Sequence, residues 1–219
     1  MKKITTKQPD FAAAKTYAIR RLNEKLSPGI VYHSVEHTTN EVVKAVERMI
    51  FEENITDQEE ITLLLTAAYF HDLGYTEGHD EHELTSARIA SNILPKFGFS
   101  EKQVQVIVNM ILATRLPQSP NNLFEEIMAD ADLDILGTDK MIERNGDLRK
   151  ELESIGQQFS DKEWLQNQLR FLANHEYFTS STSRLRESGK RRNIQKLNAL
   201  LEVKKNRYPG TTKADKVDN

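Results

Sequence analysis

Cysteine is absent from the 219 residues, which excludes disulfides and every thiolate metal site, so any metal ion here must be held by His, Asp and Glu. A chain without cysteine also suits a reducing compartment, and a cytoplasmic location is the expectation. Long apolar runs are missing too, and none reaches the length of a bilayer-spanning helix. Met1-Lys2-Lys3 begins like a secretory leader, but Thr5, Thr6, Lys7 and Gln8 follow where an apolar segment is required. There is no excess of positive charge. A net charge of -3 with 29% charged residues leaves no global electrostatic footprint for nucleic acid, so neither nucleic acid nor a membrane is an expected partner. No stretch alternates apolar and polar residues with the period of a strand, and no internal repeat is present.

What the sequence does contain is helical spacing. Phe11, Ala14, Ala18, Leu22 and Leu26 recur at intervals of three and four, and Ser27-Pro28-Gly29 ends that helix. A second helix is expected over 34–52, with Val42, Val43, Val46, Met49 and Ile50 inward. Thr56 and Glu59 read as a capping box opening a third, which ends at His71-Asp72. A polar loop over 75–81 precedes a helix over 81–94 that Pro95 stops, and Ser100 with Gln103 caps the next. After a loop over 116–122 comes an apolar run over 127–137 that carries Asp130, Asp132 and Asp134 at alternate positions. Helices follow over 140–155 and, behind a Ser160/Glu163 capping box, over 164–177. Arg184, Arg186, Lys190, Arg191 and Arg192 are expected to cluster ahead of a last helix containing Ile194, Leu197, Leu200 and Leu201. The reading is all-α: one helical domain over 1–206 and a disordered tail over 207–219.

Against this background, Ala67-Ala68-Tyr69-Phe70-His71-Asp72 stands out, because an apolar run ends in an adjacent imidazole and carboxylate. Those two donors suit a divalent ion that can activate water, although such a pair also serves as a solvated helix end. His33 and His37 are four apart, on one helical face. The pattern His33-Ser34-Val35-Glu36-His37 has no Glu directly after its first His, so the zinc-peptidase motif is not met. Two imidazoles and two carboxylates, drawn from the start of one helix, the end of the next and the later aspartate run, suffice for a metal site with open positions. Asp130 and Asp132 compete for the last ligand place. Asp130 and Asp134 are read either as partners that orient the histidines or as solvated residues.

In this order the residues resemble the HD-domain metal-dependent phosphohydrolases, whose motif is a His, a His-Asp pair and a distant Asp. His37, His71, Asp72 and Asp132 match it, the last through the family's Ala-Asp-x-Leu pattern on Ala131-Asp132-Leu133-Asp134. Tyr32-His33-Ser34-Val35-Glu36-His37-Thr38 is similar to the Tyr-His-Asn-x-x-His-Thr segment of HD proteins related to cyclic-nucleotide phosphodiesterases. The likeness covers about 31–137, leaving 138–206 for C-terminal helices. It implies a helical bundle of the HD/PDEase type and metal ligands His37, His71, Asp72 and Asp132. It also implies a catalytic role for His33 as general acid, while Asp72, as a ligand that also touches the bound water, is the expected base toward it. His82, in His82-Glu83-Leu84-Thr85, resembles a second-metal ligand, but Thr114 stands where its later histidine partner would be sought; one ion is expected, with two the alternative. Zinc, manganese, nickel, iron and magnesium all remain open. Arg115 is the candidate contact for substrate phosphate.

The function implied is hydrolysis of a phosphomonoester or phosphodiester in a nucleotide or related small phosphoester, by an enzyme whose oligomeric state is left open. The (p)ppGpp hydrolases carry Glu-Asp soon after His-Asp, where this chain has Leu73-Gly74-Tyr75-Thr76, and the Gly-Tyr-Pro motif of cyclic-di-GMP hydrolases is missing. The alternatives are a di-iron oxygenase on the same scaffold, which needs more histidines than can be placed, and a non-catalytic sensor or interaction module stabilised by metal.

Overall fold

The computed structural model describes residues 8–207, with the side chains of 204–207 left aside, so most of the expected tail over 207–219 lies outside the described residues. Every regular element among them is helical. Helix α1 (Phe11–Lys25) starts where Asp10 accepts the Ala13 N–H at 2.9 Å, and it buries Ala14, Ala18 and Leu22. Helix α2 (Val43–Glu52) continues directly from a π-helical turn, His37–Val42. A π turn inserts one residue per turn and so re-aims the side chains within it, a device frequent at functional sites.

Helix α3 (Gln58–Phe70) is buried on nearly all sides of its second half, from Leu63 and Leu64 through Phe70, and it is the axis of the larger core. Its cap is Asp57, whose Oδ1 accepts the N–H groups of Glu59 and Glu60 at 2.8 and 3.0 Å. The expected capping box on Thr56 is therefore displaced by one residue, since a carboxylate satisfies two orphan donors and complements the helix dipole.

Around α3 pack α1, α2, α5 (Glu101–Leu112) and α6 (Leu123–Asp132), and α5 in turn packs on α4 (His82–Ile93). The Ser100/Gln103 capping box opens α5 as expected. A smaller cluster of Ile135, Leu136, Met141, Leu165, Leu172, Leu197 and Leu201 joins α7 (Met141–Ser154), α8 (Asp161–Asn174) and α9 (Ser180–Arg207). The Ser160/Glu163 capping box opens α8. The basic residues Arg184 to Arg192 lie inside α9 rather than ahead of it. Their charges are compatible with a helix face because Arg186 grips Asp134 through two 2.8 Å bonds, while Lys190 donates to the His175 carbonyl at 2.6 Å.

Two close approaches need glycine. A Cβ at Gly74 would meet the His82 carbonyl oxygen at 2.0 Å, and one at Gly189 would meet the Gly137 carbonyl oxygen at 1.9 Å. The first lets α4 start directly beside the end of α3. The second lets α9 cross the 3-10 turn Asp134–Gly137.

A candidate metal centre at the end of helix α3

The π turn, the end of α3 and the end of α6 converge on one point. His37 Nε2, His71 Nε2 and a carboxylate oxygen of Asp72 belong to a buried group whose ligand atoms all lie within 4.8 Å of one another. Asp132 Oδ1 lies 3.3 Å from His37 Nε2 and 3.5 Å from His71 Nε2, with its side chain 20% exposed at the cavity wall.

Each imidazole is held by its other nitrogen. His37 Nδ1 faces Glu41 Oε2 at 2.8 Å, and His71 Nδ1 donates to the Ala68 carbonyl at 2.8 Å. Those anchors leave both Nε2 atoms turned toward the carboxylates, as metal-ligating histidines are commonly arranged. His71 Nε2 and Asp72 Oδ2 are buried with no hydrogen-bond partner, a costly condition that a cation would relieve. Cysteine-free N/O donors of this kind fit a divalent ion. The residues present therefore fit a metal.

The electrostatics agree. Burial opposes charge on His37, but Asp132, Glu41 and Asp72 outweigh it and raise its pKa to about 9. His71 is raised well above the usual value in the same way, against burial, by Asp72 and Asp132. Burial likewise works against ionised Asp72 and Asp132, yet the neighbouring histidines hold both below the normal carboxylate range. The pocket thus concentrates a negative field that draws positive charge, whether protons or a metal ion.

His33 stands at the rim. Its Nδ1 is paired with Glu151, a fully buried carboxylate on α7 that also accepts the N–H groups of Tyr32 and His33 at 2.8 and 3.1 Å. Its Nε2 is 3.2 Å from the Tyr75 hydroxyl. The Tyr75 ring stacks against both His33 and His82, with both centroid distances 4.1 Å and the two imidazoles 5.9 Å from each other. His82 Nε2 reaches to 3.7 Å from Asp72 Oδ1, and burial lowers the pKa of His82 despite that carboxylate.

Other expected residues are elsewhere. Asp130 is fully buried but turned to the start of α9, where it accepts from the N–H groups of Phe178 and Thr179 and from the Thr179 hydroxyl at 2.7–2.9 Å. It does not reach the histidines. Asp134 is neither solvated nor an orienting partner, because Arg48 and Arg186 engage it. Arg115 is half exposed, 3.4 Å from Glu81, and does not line the cavity: just beyond α5, its side chain runs outward over the surface.

The cavity in front of the cluster has a volume of about 500 Å³, within the usual range for a small-molecule site. Tyr32, His33, Asp72, His82 and Asp132 line one part, and Leu148, Phe159, Trp164 and Gln168 another. The supporting residues Glu41, Arg144 and Glu151 were not anticipated. Glu41 had a signal, being four residues after His37 on the same helical face. Arg144 bridges Glu41 at 2.8 Å, Asp147 at 3.1 Å and the Tyr32 carbonyl at 2.7 Å, and neither it nor Glu151 has any local mark.

Among the described residues no helix is long and apolar enough to cross a membrane. No curated protein matches the chain. The crystal structure of a predicted HD superfamily hydrolase from an uncultured Thermotogales bacterium is similar in fold, with a TM-score of 0.59, 17% identity, and coverage of 89% of this chain and 92% of that one. The model of the HD domain matches residues 19–134, just over half of the chain and the whole span from the π turn to Asp132, and the chain belongs to the HD-domain family.

Proposed function

We propose that the protein is a metal-dependent phosphohydrolase acting on a phosphomonoester or phosphodiester of a nucleotide or related small phosphoester. The observation that carries this reading is the convergence of His37, His71, Asp72 and Asp132, whose two carboxylates line a small-molecule cavity that a carboxylate-backed histidine also lines. His37, His71, Asp72 and Asp132 would hold the ion, with His82 the candidate for any second one. A divalent cation there supplies Lewis acidity toward phosphoryl oxygen and lowers the pKa of water.

The chain's own residues do the rest. Asp72, buried at the cavity wall, would help hold the ion and would take the proton of the attacking water. His33, as an imidazolium whose Nδ1–H stays on Glu151, would deliver its Nε2 proton to the departing alkoxide oxygen and regain one from solvent. Glu151 is suited to back that imidazolium: burial opposes its charge, but His33 and the backbone donors of Tyr32 and His33 hold it below the usual carboxylate range. Arg144 is occupied by Glu41, Asp147 and Tyr32, so it offers no free guanidinium to phosphate.

The test is a phosphate-release screen over nucleotides and sugar phosphates with metal-loaded protein, alongside His33→Gln and Asp72→Asn. Turnover of at least one phosphoester is expected. Loss of a general acid is expected to lower kcat by roughly 10²- to 10⁴-fold. Full metal loading with no turnover of any phosphoester contradicts the reading.

A further inference from the structure

Trp164, Asn145 and Gln168 form a chain of hydrogen bonds in the cavity wall away from the carboxylates. Trp164 Nε1 donates to Asn145 Oδ1 at 2.6 Å, and Asn145 Nδ2 donates to Gln168 Oε1 at 2.5 Å. The direction of this chain is not a free choice. An indole nitrogen is a donor only, so the Asn145 atom facing it must be the carbonyl oxygen; the Asn145 NH2 then faces Gln168, whose own oxygen must receive it. Gln168 is left with its Nε2–H2 group, which has no hydrogen-bond partner among the described residues, at the surface of the cavity. Trp164 and Asn145 are both buried, so Asn145 cannot turn over without stranding the indole N–H, nor Gln168 without setting its NH2 group against that of Asn145. Beside this donor the wall is aromatic and aliphatic: Phe159, with its ring 5.2 Å from that of Trp164, and Leu148, Leu152 and Met141.

We propose that this end of the cavity is a slot for a flat heteroaromatic ring, and that Gln168, locked in polarity by Trp164 through Asn145, donates to a carbonyl oxygen on the ring's edge. The inference rests on the hydrolase reading in assigning the substrate's organic end to this wall, and it sharpens that reading from small phosphoesters to nucleotides with a keto-bearing base. A ring presenting an amino group at the same place sets donor against donor and is rejected. Trp164 and Asn145 are positioning residues; Gln168 determines specificity.

Bare nucleosides carry no phosphoester, so they test the slot apart from the hydrolysis. Inosine and adenosine differ along one edge, a carbonyl beside a ring N–H against an amino group beside a bare ring nitrogen, and Trp164 is the sole tryptophan, which makes its fluorescence a local reporter. Inosine is expected to quench Trp164, and by calorimetry to bind about tenfold more tightly than adenosine, the worth of one satisfied against one unsatisfied donor. Gln168→Leu should weaken inosine by about tenfold and erase the difference, and Trp164→Phe should narrow it by freeing the two amides to rotate. Gln168→Glu, which offers an acceptor in place of the donor, should reverse the preference, a change of sign that misfolding cannot produce. Absence of inosine binding, or variants at 168 that bind both nucleosides as the natural protein does, overturns the proposal. Inosine binding with the expected reversal, in a protein that releases no phosphate, supports the slot and counts against the hydrolase reading alone.

Discussion

At the scale of single residues, the centre is built from groups whose second atoms are already committed. Glu41 on His37 Nδ1 and the Ala68 carbonyl on His71 Nδ1 select the tautomers that turn Nε2 inward. Glu41→Gln keeps the shape but loses the negative charge, and metal affinity measured by competition with a chelator is expected to fall by roughly 10- to 100-fold, with unchanged affinity the contrary result. Outside the centre, His175 has both ring nitrogens buried without partners, and burial together with Lys190 depresses its pKa to about 4. Since the unfolded value is near 6.5, the unfolded chain binds this proton first as pH falls. The contribution of His175 is fully present above about 6.5 and is lost on the way to about 4. With the part-exposure of the ring discounted, it is on the order of 2 kcal/mol. Urea unfolding at pH 7 and pH 5 should therefore show a smaller acid loss for His175→Leu than for the natural protein, and equal losses would argue that the ring is not held neutral.

At the scale of elements, the aspartate run shows what was legible and what was not. In a helix, residues two apart are separated by about 200°, so within α6 Asp132 must face away from Asp130. The structure follows that rule, with Asp132 at the histidines and Asp130 turned to the α9 side. Helical periodicity thus contained the choice between Asp130 and Asp132, although the choice itself rested on a motif. Helix positions and the caps at Ser100 and Ser160 were equally legible, since each depends on neighbours within four residues. The π turn at His37–Val42 was not, because apolar spacing of three and four residues reads the same through a single π turn as through an α-helix. The start of α4 depends on Gly74, where an added Cβ would sit 2.0 Å from a backbone oxygen that cannot yield cheaply. Gly74→Ala is expected to cost ~2–3 kcal/mol in thermal or urea unfolding and to displace His82 from Asp72. Natural-like stability in that variant would mean that the crossing is looser than described.

At the scale of the whole molecule, the candidate ligands come from elements of the larger core, whereas α7 and α8 contribute Glu151, Arg144 and the amide chain. The motif half of the chain could be read from sequence because its residues carry recognisable chemistry at recognisable spacing. The contribution of the C-terminal helices could not, since a buried Glu or Gln looks like any polar helix residue until its partner, more than a hundred positions away for Glu151 and His33, is known. The central claim is that His37, His71, Asp72 and Asp132 bind one divalent ion at the end of α3. The most direct measurement is the metal content of purified protein by mass spectrometry, before and after reloading, in the natural chain and in His71→Ala and Asp132→Ala with folding checked by circular dichroism. The account predicts tightly held divalent metal at about one equivalent in the natural chain and its loss in both folded variants. Folded variants that retain the metal in full, or a natural chain that takes up none, would contradict it.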